Sequence, residues 1–125
     1  MRNQQSGFTL IELVAVIVIL GALAVVALPR FIDLQDEAQT EALNGVKGAA
    51  ASAHAVNYSG AVADSGDAVN ITDCNQTPSI LQSEPDNYTF QSDSLGSSTG
   101  DTADCTVTQD DTGDTATFTG IYVSG

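Results

Sequence analysis

Basic residues are almost missing from this chain. Its 125 residues include only Arg2, Arg30 and Lys47 against 16 Asp and Glu, giving a formal net charge of −13. Beyond Lys47 there is no Lys or Arg at all. Nucleic acids and anionic membrane surfaces are held by clusters of Lys and Arg. The C-terminal half therefore excludes both, and no nucleic-acid partner is expected for it. Tryptophan is absent and aromatics are sparse, so no cluster suited to stacking on sugars is evident. The single histidine, His54, has no second His or Cys at ligand spacing and no evident nucleophile partner. With no Gly-rich phosphate cradle either, no catalytic set can be assembled, and neither enzymatic activity nor a cofactor is expected.

What the chain does have is a long apolar run. Phe8 to Leu28 contains one charged residue; as a helix it is about 31 Å long, close to the thickness of a bilayer core. Residues 1–7 before it are short and polar, with Arg2 as a positive charge that would keep this end in the cytoplasm. In an ordinary secretory signal the small-residue cleavage site follows the apolar region, whereas here the small residue, Gly7, precedes it. Cleavage at Gly7 would leave the helix attached.

The charged residue is Glu12. An ionised acid near mid-bilayer costs on the order of 2.5–3.5 kcal/mol on insertion scales, so Glu12 needs a partner. Cleavage after Gly7 would free the amine of Phe8 one helical turn away, able to neutralise Glu12 in its own chain or in an offset neighbour; the plainer alternative is a side chain that reaches the headgroups. The segment Gly7-Phe8-Thr9-Leu10-Ile11-Glu12-Leu13, followed by the apolar stretch to Pro29, resembles the type IV pilin N-terminus. That resemblance implies cleavage by a prepilin peptidase between Gly7 and Phe8, N-methylation of Phe8, and a subunit-docking role for Glu12. Pro29-Arg30-Phe31-Ile32-Asp33-Leu34-Gln35-Asp36-Glu37-Ala38 and Leu43-Asn44-Gly45-Val46-Lys47-Gly48-Ala49 extend it toward the mannose-sensitive haemagglutinin (MSHA) branch of type IVa pilins. The first part is shared with secretion-system pseudopilins.

Gly21 and Pro29 bracket a stretch in which helix is intrinsically weak. A kink or local melting is expected there, and pilins that resemble this chain are thought to unwind the segment during assembly. Phe31, Leu34, Ala38, Ala42, Val46, Ala49, Ala53 and Val56 recur at steps of three and four. This period predicts a continuing amphipathic helix that lays those residues on the globular part.

From Ser59 onward the composition turns to Ser, Thr, Asp, Asn and Gly with short apolar punctuation, as in a loop-rich β domain. Thr77-Pro78 could open a helical turn with Thr77 as cap, and strands are expected near 88–91, 104–109 and 115–123. A head this small needs a staple. Cys74 and Cys105, an even pair behind an export-like N-terminus, supply the candidate, worth roughly 3–4 kcal/mol in the chain-entropy model; two buried free thiols are the alternative. Asp110, Asp111 and Asp114 flank a loop that reads first as a hairpin turn and second as a weak calcium site. Four Asn-x-Ser/Thr matches, at Asn57, Asn70, Asn75 and Asn87, are expected by chance in so Ser/Thr/Asn-rich a chain.

The expected architecture is α+β: residues 1–7 a cleaved leader, 8–28 a transmembrane and filament-core helix, 29–60 its amphipathic continuation, and 61–125 a small acidic head with an antiparallel sheet and a disulfide. The resemblance implies the major structural subunit of a type IV pilus, used for attachment, twitching or DNA uptake. Its partners would be further copies of itself, the inner membrane before assembly, the prepilin peptidase and the pilus assembly machinery, with the pilus finally on the cell surface. The alternatives are a type II secretion pseudopilin or minor pilin, and an anchored ligand-binding module.

Overall fold

The computed structural model describes residues 7–125; the rest of the expected leader, including Arg2, lies outside the described residues. Helix α1 runs from Leu10 to Val62, followed by a 3₁₀ helix over Cys74–Ile80 and strands β1 (Tyr88–Phe90), β2 (Thr102–Gln109) and β3 (Thr115–Ile121). By internal contacts the chain divides into Met1–Ala38 and Gln39–Gly125.

In the first unit every described residue from Gly7 to Ala38 is exposed. Its part of α1 includes Leu10, Ile11, Val25 and Val26, each 68% exposed or more, so no core forms here. The helix persists because it lacks breakers other than Gly21 and Pro29, and it is unbroken at both. Pro29 has no N–H to donate within the helix, so the weakness expected there remains a local one inside a helical segment.

The second unit holds the core. Strands β1, β2 and β3 form an antiparallel meander in sequence order. Tyr88 pairs with Gln109, and Cys105 with Phe118. One face of the sheet supplies Phe90, Cys105, Val107 and Phe118 to a cluster completed by Leu43, Ala50, Ile71, Cys74 and Leu95. The opposite face carries Thr106 and Thr108 opposite Thr117 and Thr115, β-branched residues that suit a half-solvated pleated surface. A further bridge pairs Ile71 with Val123, bringing the chain just before the 3₁₀ helix beside the C-terminal segment. The Gln109–Asp114 connection closes through Gly113, whose φ of 76° is a glycine conformation.

Two expectations need correction. The helix face that enters the core is not that of Ala42, Ala49, Ala53 and Val56, of which Ala53 is half-buried and the others exposed. It is Leu43, Ala50, His54 and Asn57, with Val46 at the margin, one residue round the helix. The apolar count missed this face because two of its members are polar, and each is satisfied where it is buried. Asn57 donates its amide to the Val69 carbonyl and accepts from the Val69 N–H, both at 2.8 Å. His54 is fully buried; its Nδ1 accepts from the Ile121 N–H at 3.1 Å and its Nε2 lies 3.0 Å from Thr77 Oγ1.

The second correction concerns the short helix, which is capped by Asp73 rather than Thr77. Asp73 accepts from the Asn75 N–H, and Gln76 reaches back to the Asp73 N–H, a reciprocal capping box. Thr77 is instead interior, its hydroxyl donating to the Cys74 carbonyl at 2.7 Å.

Candidate functional site

The N-terminal segment holds the residues with the strongest functional expectation. The chain enters α1 through Thr9, and the Leu13 N–H donates to the Thr9 carbonyl at 3.2 Å. Thr9 Oγ1 accepts from the Glu12 N–H at 3.3 Å, while Glu12 Oε2 accepts from the Thr9 N–H at 3.2 Å. This is a second reciprocal capping box: two helix N-terminal amides that would otherwise lack partners are satisfied by each other's side chains. Glu12 is therefore engaged within its own chain, on the exposed backbone one residue past Phe8. Phe8 is 89% exposed and precedes the first helical residue, so the Gly7–Phe8 bond lies in non-helical chain. The Thr9-x-x-Glu12 spacing ahead of an apolar run was a sufficient signal for the cap, and sequence reasoning passed over it in favour of the Phe8 amine.

Beyond the cap, α1 is long and apolar enough to cross a membrane, and the apolar stretch is unburied by the chain itself. Gly21 has open space where a Cβ would stand, and small residues at 21, 22, 24 and 27 leave this surface free for close helix approach.

The head carries no comparable assembly of chemical groups. Cys74 and Cys105 form the disulfide, with Cα atoms 5.5 Å apart and both residues fully buried. Asp110, Asp111 and Asp114 sit in the β2–β3 turn; the Asp110 carboxylate accepts from the Thr89 hydroxyl at 2.7 Å. No group of three or more His, Cys, Asp or Glu side chains converges in a metal-ligating arrangement among the described residues. Asn57, one of the four glycosylation matches, is buried with both amide atoms bonded.

Residues 2–28 match the family model for the prokaryotic N-terminal methylation motif. The chain carries the prokaryotic N-terminal methylation motif, and its N-terminal segment is similar to those of type IV pilins. It is 50% identical over 50 residues to the type IV narrow pilus major component PilA5 of Thermus thermophilus, covering 40% of this chain and 43% of that protein. It is 51% identical over 43 residues to the type IV major alpha-pilin of Moraxella bovis, covering 34% and 27%. It is also 48% identical over 44 residues to the type II secretion system core protein G of Pseudomonas aeruginosa, covering 35% and 31%. The matched segment thus spans less than half the length of each of these relatives. No solved structure matches the chain. The long N-terminal helix, the three-stranded antiparallel sheet and the disulfide together fit the type IV pilin fold.

Proposed function

We propose that this chain is the prepilin of a major type IV pilus subunit. It is held in the inner membrane by residues 8–28, cleaved between Gly7 and Phe8 by a prepilin peptidase, methylated at Phe8, and polymerised by the pilus assembly machinery into a surface filament. The observation that carries the reading is the apolar stretch of α1 from Leu10 to Leu28, exposed throughout, with one acid at its start. A chain cannot bury that surface alone, and a lipid bilayer or a bundle of identical helices can.

Once the leader is gone, the Phe8 amine offers a cation to Glu12, and Glu12 must exchange its Thr9 partner for a group on a neighbour if it docks subunits. The melting assigned to the Gly21–Pro29 segment would give the packed helices length to extend. The MSHA-type branch and a role in attachment are the finer form of this proposal, supported by the segments around Pro29 and Leu43. Intact-mass measurement and N-terminal sequencing of material sheared from the cell surface test the proposal. An abundant chain beginning at N-methylated Phe8 is the expected result, and an uncleaved chain confined to the membrane would overturn it.

A second reading, a pseudopilin of a secretion machine, is favoured by the similarity to the type II secretion core protein. It predicts the same processed N-terminus on a protein that is scarce in sheared material.

A further inference from the structure

His54 has no part in the proposed processing or docking, yet it joins three elements of the head. It projects from α1; its Nε2 faces Thr77 on the 3₁₀ helix at 3.0 Å and its Nδ1 takes the Ile121 N–H of β3 at 3.1 Å. Thr77 spends its own proton on the Cys74 carbonyl, so its oxygen is left to accept. Nε2 is therefore the protonated ring nitrogen, and Nδ1 is the acceptor. Both nitrogens are satisfied only while the ring is neutral, because a protonated Nδ1 has no lone pair for Ile121.

The surroundings offer nothing to hold a charge. The ring centroid lies 5.8 Å from that of Phe118, and a Cβ placed on Gly120 would come within 3.6 Å of the imidazole and 2.5 Å of the Cys105 sulfur and of Leu95. From the 3₁₀ helix the facing groups are Thr77 and bridged Cys74. From β2 the group is bridged Cys105, and from β3 they are Phe118, Gly120 and the Ile121 amide. One turn either way on α1 stand Ala50 and Tyr58. None of these is charged. The carboxylates on the same elements are engaged or lie elsewhere: Asp73 with Asn75, Ser92 and Asp93, Asp104 on the exposed face of β2, and those of α1 at Glu41 or before it, more than three turns from His54.

We propose that His54 is an acid-sensitive latch, which ties the end of β3 to the helix when neutral and releases the Ile121 amide when protonated. Ile121 leads directly into Tyr122 and Val123, and Val123 makes the paired backbone bonds with Ile71 at 2.8 and 2.9 Å. Tyr122 is bonded to Gly100 and Asp101, and Ser124 to Thr99, so loss of the His54 contact frees the Ile121 amide at the start of the strap that closes the head, while the rest of it stays bonded. Burial pushes the His54 pKa below the ordinary imidazole value, so the unfolded chain binds the proton more readily than the folded one. The stabilisation is full above the ordinary pKa of about 6.5 and is lost as pH falls below it. The latch belongs to the head and does not depend on the filament reading.

The test uses the full chain in detergent micelles, following the His54 ring nitrogens by NMR and amide exchange as protection factors, from about pH 7.5 downward until the ring is protonated, which burial places below the ordinary imidazole value. Ile121 is expected to lose protection in step with protonation of the ring while Val107 in the central strand keeps its own. His54→Gln, which retains a donor and an acceptor but does not titrate in this range, should abolish the pH response at Ile121. Constant protection at Ile121 through ring protonation overturns the latch, as does the same pH response in His54→Gln. Should that variant not fold, the coincidence of the two wild-type titrations decides by itself.

Discussion

The two units of this chain solve opposite problems with the same helix. Up to Leu28, α1 is apolar on all sides apart from Glu12, and as far as Ala38 it buries nothing; after Gln39, it is mostly polar or alanine-rich outside and contributes a narrow stripe to a core. The first part has hydrophobic residues without a partner, and its stability rests on backbone bonding and on whatever solvent or neighbour surrounds it. The second has few large hydrophobic residues, and is held by a disulfide, a compact cluster and buried polar side chains that are fully bonded. Substitutions in the first unit should therefore change assembly, whereas substitutions in the second should change folding.

The largest effect expected on that division is at Glu12. Glu12→Ala should remove surface filaments altogether while the chain still inserts, read by electron microscopy of cells and by membrane fractionation. Filaments at the normal level would separate Glu12 from docking and leave it only its Thr9 cap. Next comes the staple: replacing Cys74 and Cys105 together by serine should cost the head roughly 3–4 kcal/mol, seen as a lowered Tm, with N-terminal processing unchanged. Gly120→Ala follows, because its new Cβ would stand 2.5 Å from both the Cys105 sulfur and a Leu95 methyl. Overpacking of this kind costs about 1–3 kcal/mol, measurable by urea denaturation.

A smaller effect should appear in acid. The amide of Asn75, with Ser92 and Asp93, holds the Asp73 carboxyl below its ordinary pKa of 3.8, and the amides of Ser97 and Ser98 do the same for Asp101. Stability from these groups is present above that ordinary value and lost as pH falls through the lower folded-state values. Asp73→Asn and Asp101→Asn should each flatten the pH dependence of Tm below about pH 4. His54→Gln leaves these carboxylates in place, so the two sources of acid sensitivity can be told apart by which substitution flattens the response.

How much of this was legible in the sequence differs by region for physical reasons. Apolarity is a local property, so the run from Phe8 to Leu28 announced itself, as did the even pair of cysteines, which the structure joins. The three strands were found near their true places because β-branched residues and turn formers alternate there; only their ends moved. The packing face of α1 was misread by one residue. In an alanine-rich stretch, Ala49 and Ala50 or Ala53 and His54 differ little in what helix periodicity can say, and burial was decided by long-range partners of His54 and Asn57. The cap at Asp73 and the cap at Thr9 were both written in the chain as three-residue spacings to Gln76 and Glu12. The first was missed because the cap had been given to Thr77, and the second because Glu12 had been paired with the Phe8 amine.

The side chain of Asn57 has a consequence for the segment that follows α1. Its amide copies the two-way bonding of a neighbouring strand and fastens the chain at Val69, only a few residues after the helix ends at Val62. The intervening residues 63–68 are exposed or half-exposed and form a lobe pinned at its neck. Loop closure there depends only weakly on length, so the lobe can carry inserted sequence. A short epitope placed between Ser65 and Gly66 should leave the melting temperature of the head nearly unchanged, which makes this lobe a position for displaying foreign peptides on the protein.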